Sequence, residues 1–216
     1  MDRGRFITFE GGEGAGKSTQ AGLLADTLRT AGCDVVVTRE PGGSPIAEAI
    51  RGLLLDNEAG PRGALTEALL FAAARADHLE ALIRPALARG AWVISDRFAD
   101  STRAYQGGAG ALPAGVIDQL EHMVVGDSRP DLTILLDLPA ATGLARAQAR
   151  QRESGRADAA ADAFEARDLV YHERLRAAFL AIAEAEPRRC VVLDGTRPSG
   201  TIAAEVWSVV SDRLGV

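Results

Sequence analysis

Lysine is almost absent from this chain: of the 24 basic side chains in its 216 residues, only Lys17 is a lysine. Basic charge is also in the minority. Against it stand 30 acidic residues, a net charge of −6, which excludes the broad basic stripe that a nucleic-acid backbone requires. Cysteine is scarce as well. Cys33 and Cys190 lie far apart, each at the start of an apolar run, and read as buried free thiols in a reducing compartment. His78, His122 and His172 lack metal-ligand spacing. No apolar run approaches the ~18 residues of a membrane span, and the first strand begins too near Met1 to leave room for a signal peptide. These absences together lead us to expect a cytoplasmic protein without membrane or nucleic-acid partners. What is plentiful, 47% apolar residues, 25% charged residues and 23 glycines, suits one globular domain over 1–216 with a proper core.

The lone lysine sits in Gly11-Gly12-Glu13-Gly14-Ala15-Gly16-Lys17-Ser18, which matches G-x-x-x-x-G-K-[ST], the phosphate loop of P-loop NTPases. Phe6 to Phe9 reads as the strand before it, and the segment from Thr19 to Thr30 as the helix after it. Glycine N–H groups and the helix N-terminus would cradle phosphates. Lys17 would reach the β- and γ-phosphates of ATP, and the Ser18 hydroxyl would ligate Mg²⁺. An ammonium is compact, whereas a guanidinium is a wide planar fork, so its survival here suggests that arginine cannot replace it. The expected nucleotide contacts run from Gly11 through Thr19.

Short β-rich runs at 5–10, 34–39, 91–96, 132–137 and 189–194 alternate with helical patterns at about 17–31, 44–55, 64–90, 113–126, 140–151, 161–186 and 199–214. Alternation of this kind predicts an α/β protein: a three-layer P-loop fold with a five-stranded parallel sheet and helices on both faces. A carboxylate near the metal is expected at a strand end, where Asp96 and Asp137 both qualify. Asp96 is preferred because Arg97 follows it. Glu10 and Glu13 bring negative charge to an anion site, which suits them to engage metal, water or nearby arginines. The loop's variable positions hold no arginine, so charge that develops during transfer must be met from elsewhere. The stretch containing Arg150, Arg152 and Arg156 could supply it as a lid, at about 150–162, that also excludes water.

A guanine-reading Asn-Lys-x-Asp is ruled out, since Asn57 is the only asparagine and Lys17 the only lysine. Other blocks point to a small-molecule kinase. Thr38-Arg39-Glu40-Pro41-Gly42-Gly43, Ile50 to Leu55, Leu70 to Arg75, Asp96-Arg97-Phe98, Ser101 to Gly107 and Arg129 to Thr133, together with the phosphate loop, resemble the bacterial thymidylate kinase family over nearly the whole length. The resemblance implies transfer of the ATP γ-phosphoryl group to dTMP, a step toward dTTP. It also implies a homodimer, for which the apolar helices at 64–90 and 113–126 are candidates.

The family pattern further implies residue roles. Phe71 would stack on thymine, and Arg75, one turn along the same helix, would hydrogen-bond the base. Arg51 and Arg97 would hold the acceptor phosphate, with Glu10, Arg39 and Glu40 beside it. Tyr105 would lie against the deoxyribose, and Ser101, Thr102 and Gln106 would line the base pocket. Lys17, Arg97, Arg150 and Glu13 form the expected catalytic set, and Arg197 would pack near the adenine. The chain departs from the pattern at Asp162-Ala163-Phe164-Glu165, where many relatives have Asp-Arg before the aromatic–Glu pair, so Arg152 or Arg156 could share the lid's task. Two alternatives stay open at this stage: a kinase for another nucleoside monophosphate, and a non-catalytic nucleotide-binding module.

Overall fold

A computed structural model describes residues 3–56, 60, 62–153 and 164–216. Its strands are β1 (Phe6–Glu10), β2 (Val35–Arg39), β3 (Trp92–Asp96), β4 (Leu132–Asp137) and β5 (Cys190–Asp194). They form one sheet in the order β2-β3-β1-β4-β5, parallel at every pairing. Every residue of β1 is buried, as a central strand covered on both faces must be. The helices are α1 (Lys17–Thr30), α2 (Pro45–Leu55), α3 (Ala64–His78), α4 (Arg84–Ala88), α5 (Ala99–Thr102), α6 (Ala114–Val124), α7 (Ala140–Glu153), α8 (Leu169–Ala185) and α9 (Ser199–Leu214).

Strand periodicity decides which helices cover which face. Ile7, Phe9, Ile94, Ile134 and Leu136 pack against Leu24 and Leu28 of α1 and Ile202, Val206 and Val210 of α9. On the opposite face, Phe6 and Val93 meet Leu79 and Ile83, while Leu135 meets Leu175 and Phe179 of α8. The expected α/β fold, three layers around a five-stranded parallel sheet, is the fold observed.

Three boundaries differ from expectation. The pattern at 64–90 is α3 and α4 joined by a π-helical segment, Leu79–Ile83. The helix expected from 161 starts at Leu169, where the Asp168 carboxylate caps the Tyr171 N–H at 2.7 Å, and Phe164 to Ala166 form a turn instead. Residues 99–109 carried no helical expectation, yet α5 runs into a π-helical segment, Arg103–Ala109. Glycines at 107, 108 and 110 hide that segment from propensity. Gly108 abuts Ala178 of α8 so closely that a Cβ would collide with it, so packing overrides local preference. From residue 154 through 163 the expected lid, including Arg156, lies outside the described residues. α7 extends through Glu153, which sets both Arg150 and Arg152 on its last turn.

Candidate active site

All five strands end on one side of the sheet, where ligands of open parallel sheets bind. Between β1 and α1 the chain turns through Gly11 at φ 135° and Gly16 at φ 93°, conformations that favour glycine. A Cβ on Gly11 would stand 2.5 Å from the Leu136 carbonyl, so the loop could not lie this close to β4 with a side chain there. Lys17 Nζ donates to the carbonyls of Gly12 at 2.8 Å and Gly11 at 3.2 Å. Burial and the nearby Arg97 charge pull its pKa down to about 8. At the next residue, Ser18 Oγ donates to the Asp96 carboxylate. Asp137, the other strand-end candidate, is engaged by Arg176 through two bonds of 2.7 and 2.8 Å. Ser18 and Asp96 together present a hydroxyl and a carboxylate, the hard oxygen donors that suit Mg²⁺, which otherwise keeps water and phosphate ligands.

Arg97 occupies the turn after β3 with φ 71°, a conformation that costs a non-glycine residue about 1–3 kcal/mol. Surrounding bonds hold it there. Its N–H donates to Phe9 O at 2.9 Å, and Ser95 Oγ donates to its carbonyl at 2.7 Å. Glu10 accepts from the next N–H, that of Phe98, at 2.7 Å and from Ser101 Oγ at 2.6 Å. Burial, with Asp100 nearby, raises the Glu10 pKa to about 8. The guanidinium donates to Gly11 O at 3.0 Å, Ser101 Oγ at 3.2 Å and Glu13 Oε1 at 2.8 Å. It also lies 4.9 Å from the Tyr105 ring centre. Burial alone would raise the Glu13 pKa, but Arg97, Lys17 and a hydrogen bond from the Tyr105 hydroxyl override it and hold it at about 2.

Glu13, Lys17, Ser18, Asp96, Arg97 and Tyr105 border a cavity of about 340 Å³, within the range of small-ligand sites. It is lined by Glu13 to Thr19, Asp96 and Arg97, and also by Arg51, Phe71, Arg75, Ser101, Thr102, Tyr105, Gln106 and Arg150. Arg51 Nη1 donates to Pro41 O at 2.8 Å. Arg75 is buried, donating to Glu40 at 2.8 Å and to Phe98 O and Thr102 Oγ1, both at 3.1 Å. Glu40 also meets His78 Nδ1 at 3.1 Å, so the residue after β2 and α3 are locked together at the cavity wall.

Gly11 and Gly12 are not among the lining residues, and three expected side chains stand elsewhere. Glu10 lies behind the cavity, 1% exposed, where it holds the Arg97 turn rather than facing a ligand. Arg39 points outward and pairs with Glu48 at 3.3 Å. Arg197 pairs with Glu205 on the surface. Neither arginine lines the cavity; each finds a carboxylate on the helix that follows it, Glu48 on α2 and Glu205 on α9. Sequence reasoning missed other lining residues, among them Leu55, Phe98, Phe164 and Glu165. Phe164 packs 5.8 Å from both Phe71 and Tyr105. The signal was faint: one of only six phenylalanines, set just beyond an Ala/Asp-rich stretch.

Comparison with known proteins agrees with this architecture. The family model described as thymidylate kinase matches residues 9–206. The thymidylate kinase of Caulobacter vibrioides is 56% identical over 216 residues, covering 100% of both chains. That of Nitrobacter hamburgensis is 53% identical over 212 residues, covering 98% of this chain and 90% of the relative. The crystal structure of thymidylate kinase from Ehrlichia chaffeensis superposes with a TM-score of 0.75 at 34% identity, covering 96% of this chain and 99% of that one. The chain belongs to the thymidylate kinase family.

Proposed function

We propose that this chain transfers the γ-phosphoryl group of ATP to the 5′-phosphate of dTMP, giving ADP and dTDP. One observation carries the reading: the same cavity is lined by the phosphate loop and by Phe71, Arg75 and Gln106. An attacking phosphate oxygen already bears negative charge, so no strong general base is needed. Catalysis then consists of positioning and charge neutralisation. Lys17 holds the β- and γ-phosphates, and Arg97 and Arg51 hold the acceptor phosphate, with Arg97 oriented by Glu13. Ser18 and Asp96 are the residues to hold Mg²⁺, which when bound would neutralise phosphate charge. Arg150 reaches toward the transferred group from α7. Gly195, tied to α7 by Arg146 donating to its carbonyl at 2.9 Å, belongs to the segment that would lie near the adenine.

At the acceptor end, Phe71 stacks on the base and Arg75 donates to its carbonyl edge. Gln106 is 1% exposed, and its Oε1 has no hydrogen-bond partner among the described residues. A ring N–H such as N3–H of thymine would complete it. Tyr105 lies against the sugar. We also infer that the chain works in the cytoplasm as a homodimer, the dimer supported by half-exposed leucines on α2 and α3. Among the described residues, no helix is long and apolar enough to cross a membrane.

An ADP-release assay across dTMP, dUMP, dCMP, dGMP and UMP tests the assignment. The expected result is highest kcat/KM for dTMP. Equal rates for all acceptors would point to a general nucleoside monophosphate kinase, and ATP binding without acceptor-dependent ADP release to a non-catalytic module.

A further inference from the structure

Behind the cavity wall lies an ion pair, Glu67 with Arg167, neither member of which lines the cavity itself. Glu67 of α3 is 4% exposed. One of its oxygens accepts from Gln106 Nε2 at 2.9 Å. The other accepts from Arg167, in the turn before α8, at 2.5 Å. The Arg167 guanidinium is itself held between two rings, 4.8 Å from the centre of Phe164 and 4.5 Å from that of Tyr171. Two aromatic faces and a carboxylate thus fix a cation whose side chain is 24% exposed, and the cation occupies one oxygen of Glu67.

The consequence for Gln106 follows from donor and acceptor inventory. An amide can present its NH₂ or its oxygen in a given direction, and the two faces are nearly equal in shape. An ionised carboxylate only accepts, so Glu67 compels Gln106 to turn its NH₂ away from the base. The amide oxygen is left over, and it is the atom without a partner. We propose that Glu67, held by Arg167, is a specificity-determining positioning residue: it fixes the Gln106 amide as an acceptor, and so selects pyrimidines with a ring N3–H over cytosine, whose N3 is an acceptor. The inference rests on the cavity taking a pyrimidine nucleotide. A site that must leave a buried polar group unpaired rejects the wrong ligand far more strongly than one that only loses a methyl contact.

Glu67→Gln tests it with little change in shape. A glutamine at 67 can accept or donate, so Gln106 becomes free to reverse and donate to cytosine N3. The readout is the ratio of the dCMP inhibition constant to the dUMP KM, a pair of ligands without the 5-methyl difference. In Glu67→Gln this ratio is expected to fall about tenfold. Arg75 still reads the 4-oxo edge, so selectivity is relaxed rather than abolished. Arg167→Met, which removes the cation but keeps a long apolar side chain against the rings, is the second variant and should shift the ratio the same way. A melting scan confirms that each variant is folded, and binding of dCMP and dUMP by calorimetry replaces kinetics where turnover is low. A purely structural role predicts equal weakening of both ligands, and an unchanged ratio in a folded variant overturns the proposal. Failure of the wild-type protein to phosphorylate dTMP would instead overturn the functional reading beneath it.

Discussion

Arg97 donates to the Glu13 carboxylate at 2.8 Å, which ties the phosphate loop to the turn after β3 across 84 residues of sequence. Side chains of both are about 15% exposed, so water does little to screen the pair. Burial works against the Glu13 charge; Arg97, Lys17 and Tyr105 outweigh it and lower the pKa from 4.5 to about 2. A carboxylate depressed in the folded state contributes stability that is present above its unfolded pKa and lost as pH falls through the folded one. The window is therefore from about pH 4.5 down to about pH 2, and the amount is on the order of 3 kcal/mol. Urea unfolding across that range should show the wild type losing stability relative to Glu13→Gln. Parallel curves for the two proteins would mean that the pair does not hold the charge.

Much of the fold was legible because its physics is local. β1 reads as a strand from Phe6-Ile7-Thr8-Phe9, and the loop after it announces itself by glycines where φ must be positive. The parts that were not legible depend on partners distant in sequence. Glu10 looked like a ligand contact because it borders the loop, yet Phe98 and Ser101, some 90 residues on, claim it through bonds separated by 88 and 91 positions. Arg39 was expected beside the acceptor and Arg197 near the adenine, but Glu48 and Glu205 pair with them on the surface. The Glu67–Arg167 pair spans 100 positions and left no pattern in the chain at all. Sequence periodicity reports which face a residue occupies, and it is silent on which opposite charge will meet it there.

Lys17 offers a second test. Its ammonium is buried, close to Arg97, and its pKa falls from 10.5 to about 8. A bound polyphosphate favours the charged form and raises that value again. At pH 8.5, where a good part of Lys17 is neutral, ATP binding should therefore take up a fraction of a proton. Calorimetry in two buffers of different ionisation enthalpy would detect it, and the uptake should vanish near pH 6.5. Lys17→Arg keeps the charge but places a planar fork where Nζ lies 2.8 Å from the Gly12 carbonyl. We expect turnover to fall at least a hundredfold; a variant retaining a tenth of wild-type kcat would show that the loop tolerates the fork.

Arg150 stands on the last turn of α7 with 65% of its side chain exposed, 3.6 Å from Glu165. A pair that open is worth about 0–1 kcal/mol, so the side chain can leave it at little cost to meet charge developing in the cavity. Arg150→Ala should lower kcat more than tenfold while the dTMP KM stays within about twofold, the pattern of a group that acts mainly in the transition state. Unchanged turnover would transfer the role to Arg152 or Arg156, which the same substitution at each position would separate.

The apolar surface of α2 and α3 supports the last prediction. Ile46 is 59% exposed, Leu53 46%, Leu65 49% and Leu69 50%. Leu65 and Leu69 stand one turn apart, so they share a face of α3. Phe71 lies two residues beyond Leu69, about 200° around the helix, and so it turns toward the cavity while the leucines turn away. Burying such side chains contributes about 1.5–3 kcal/mol each, enough for four on each of two copies to drive association. Leu69→Glu should convert a dimer into a monomer in sedimentation velocity at micromolar concentration. Since α3 carries Phe71 and Arg75 on its other face, losing its partner should also raise the dTMP KM severalfold. The Leu69→Glu protein would have to melt as a folded domain for that result to count, and a wild type that sediments as a monomer would remove this surface from the account.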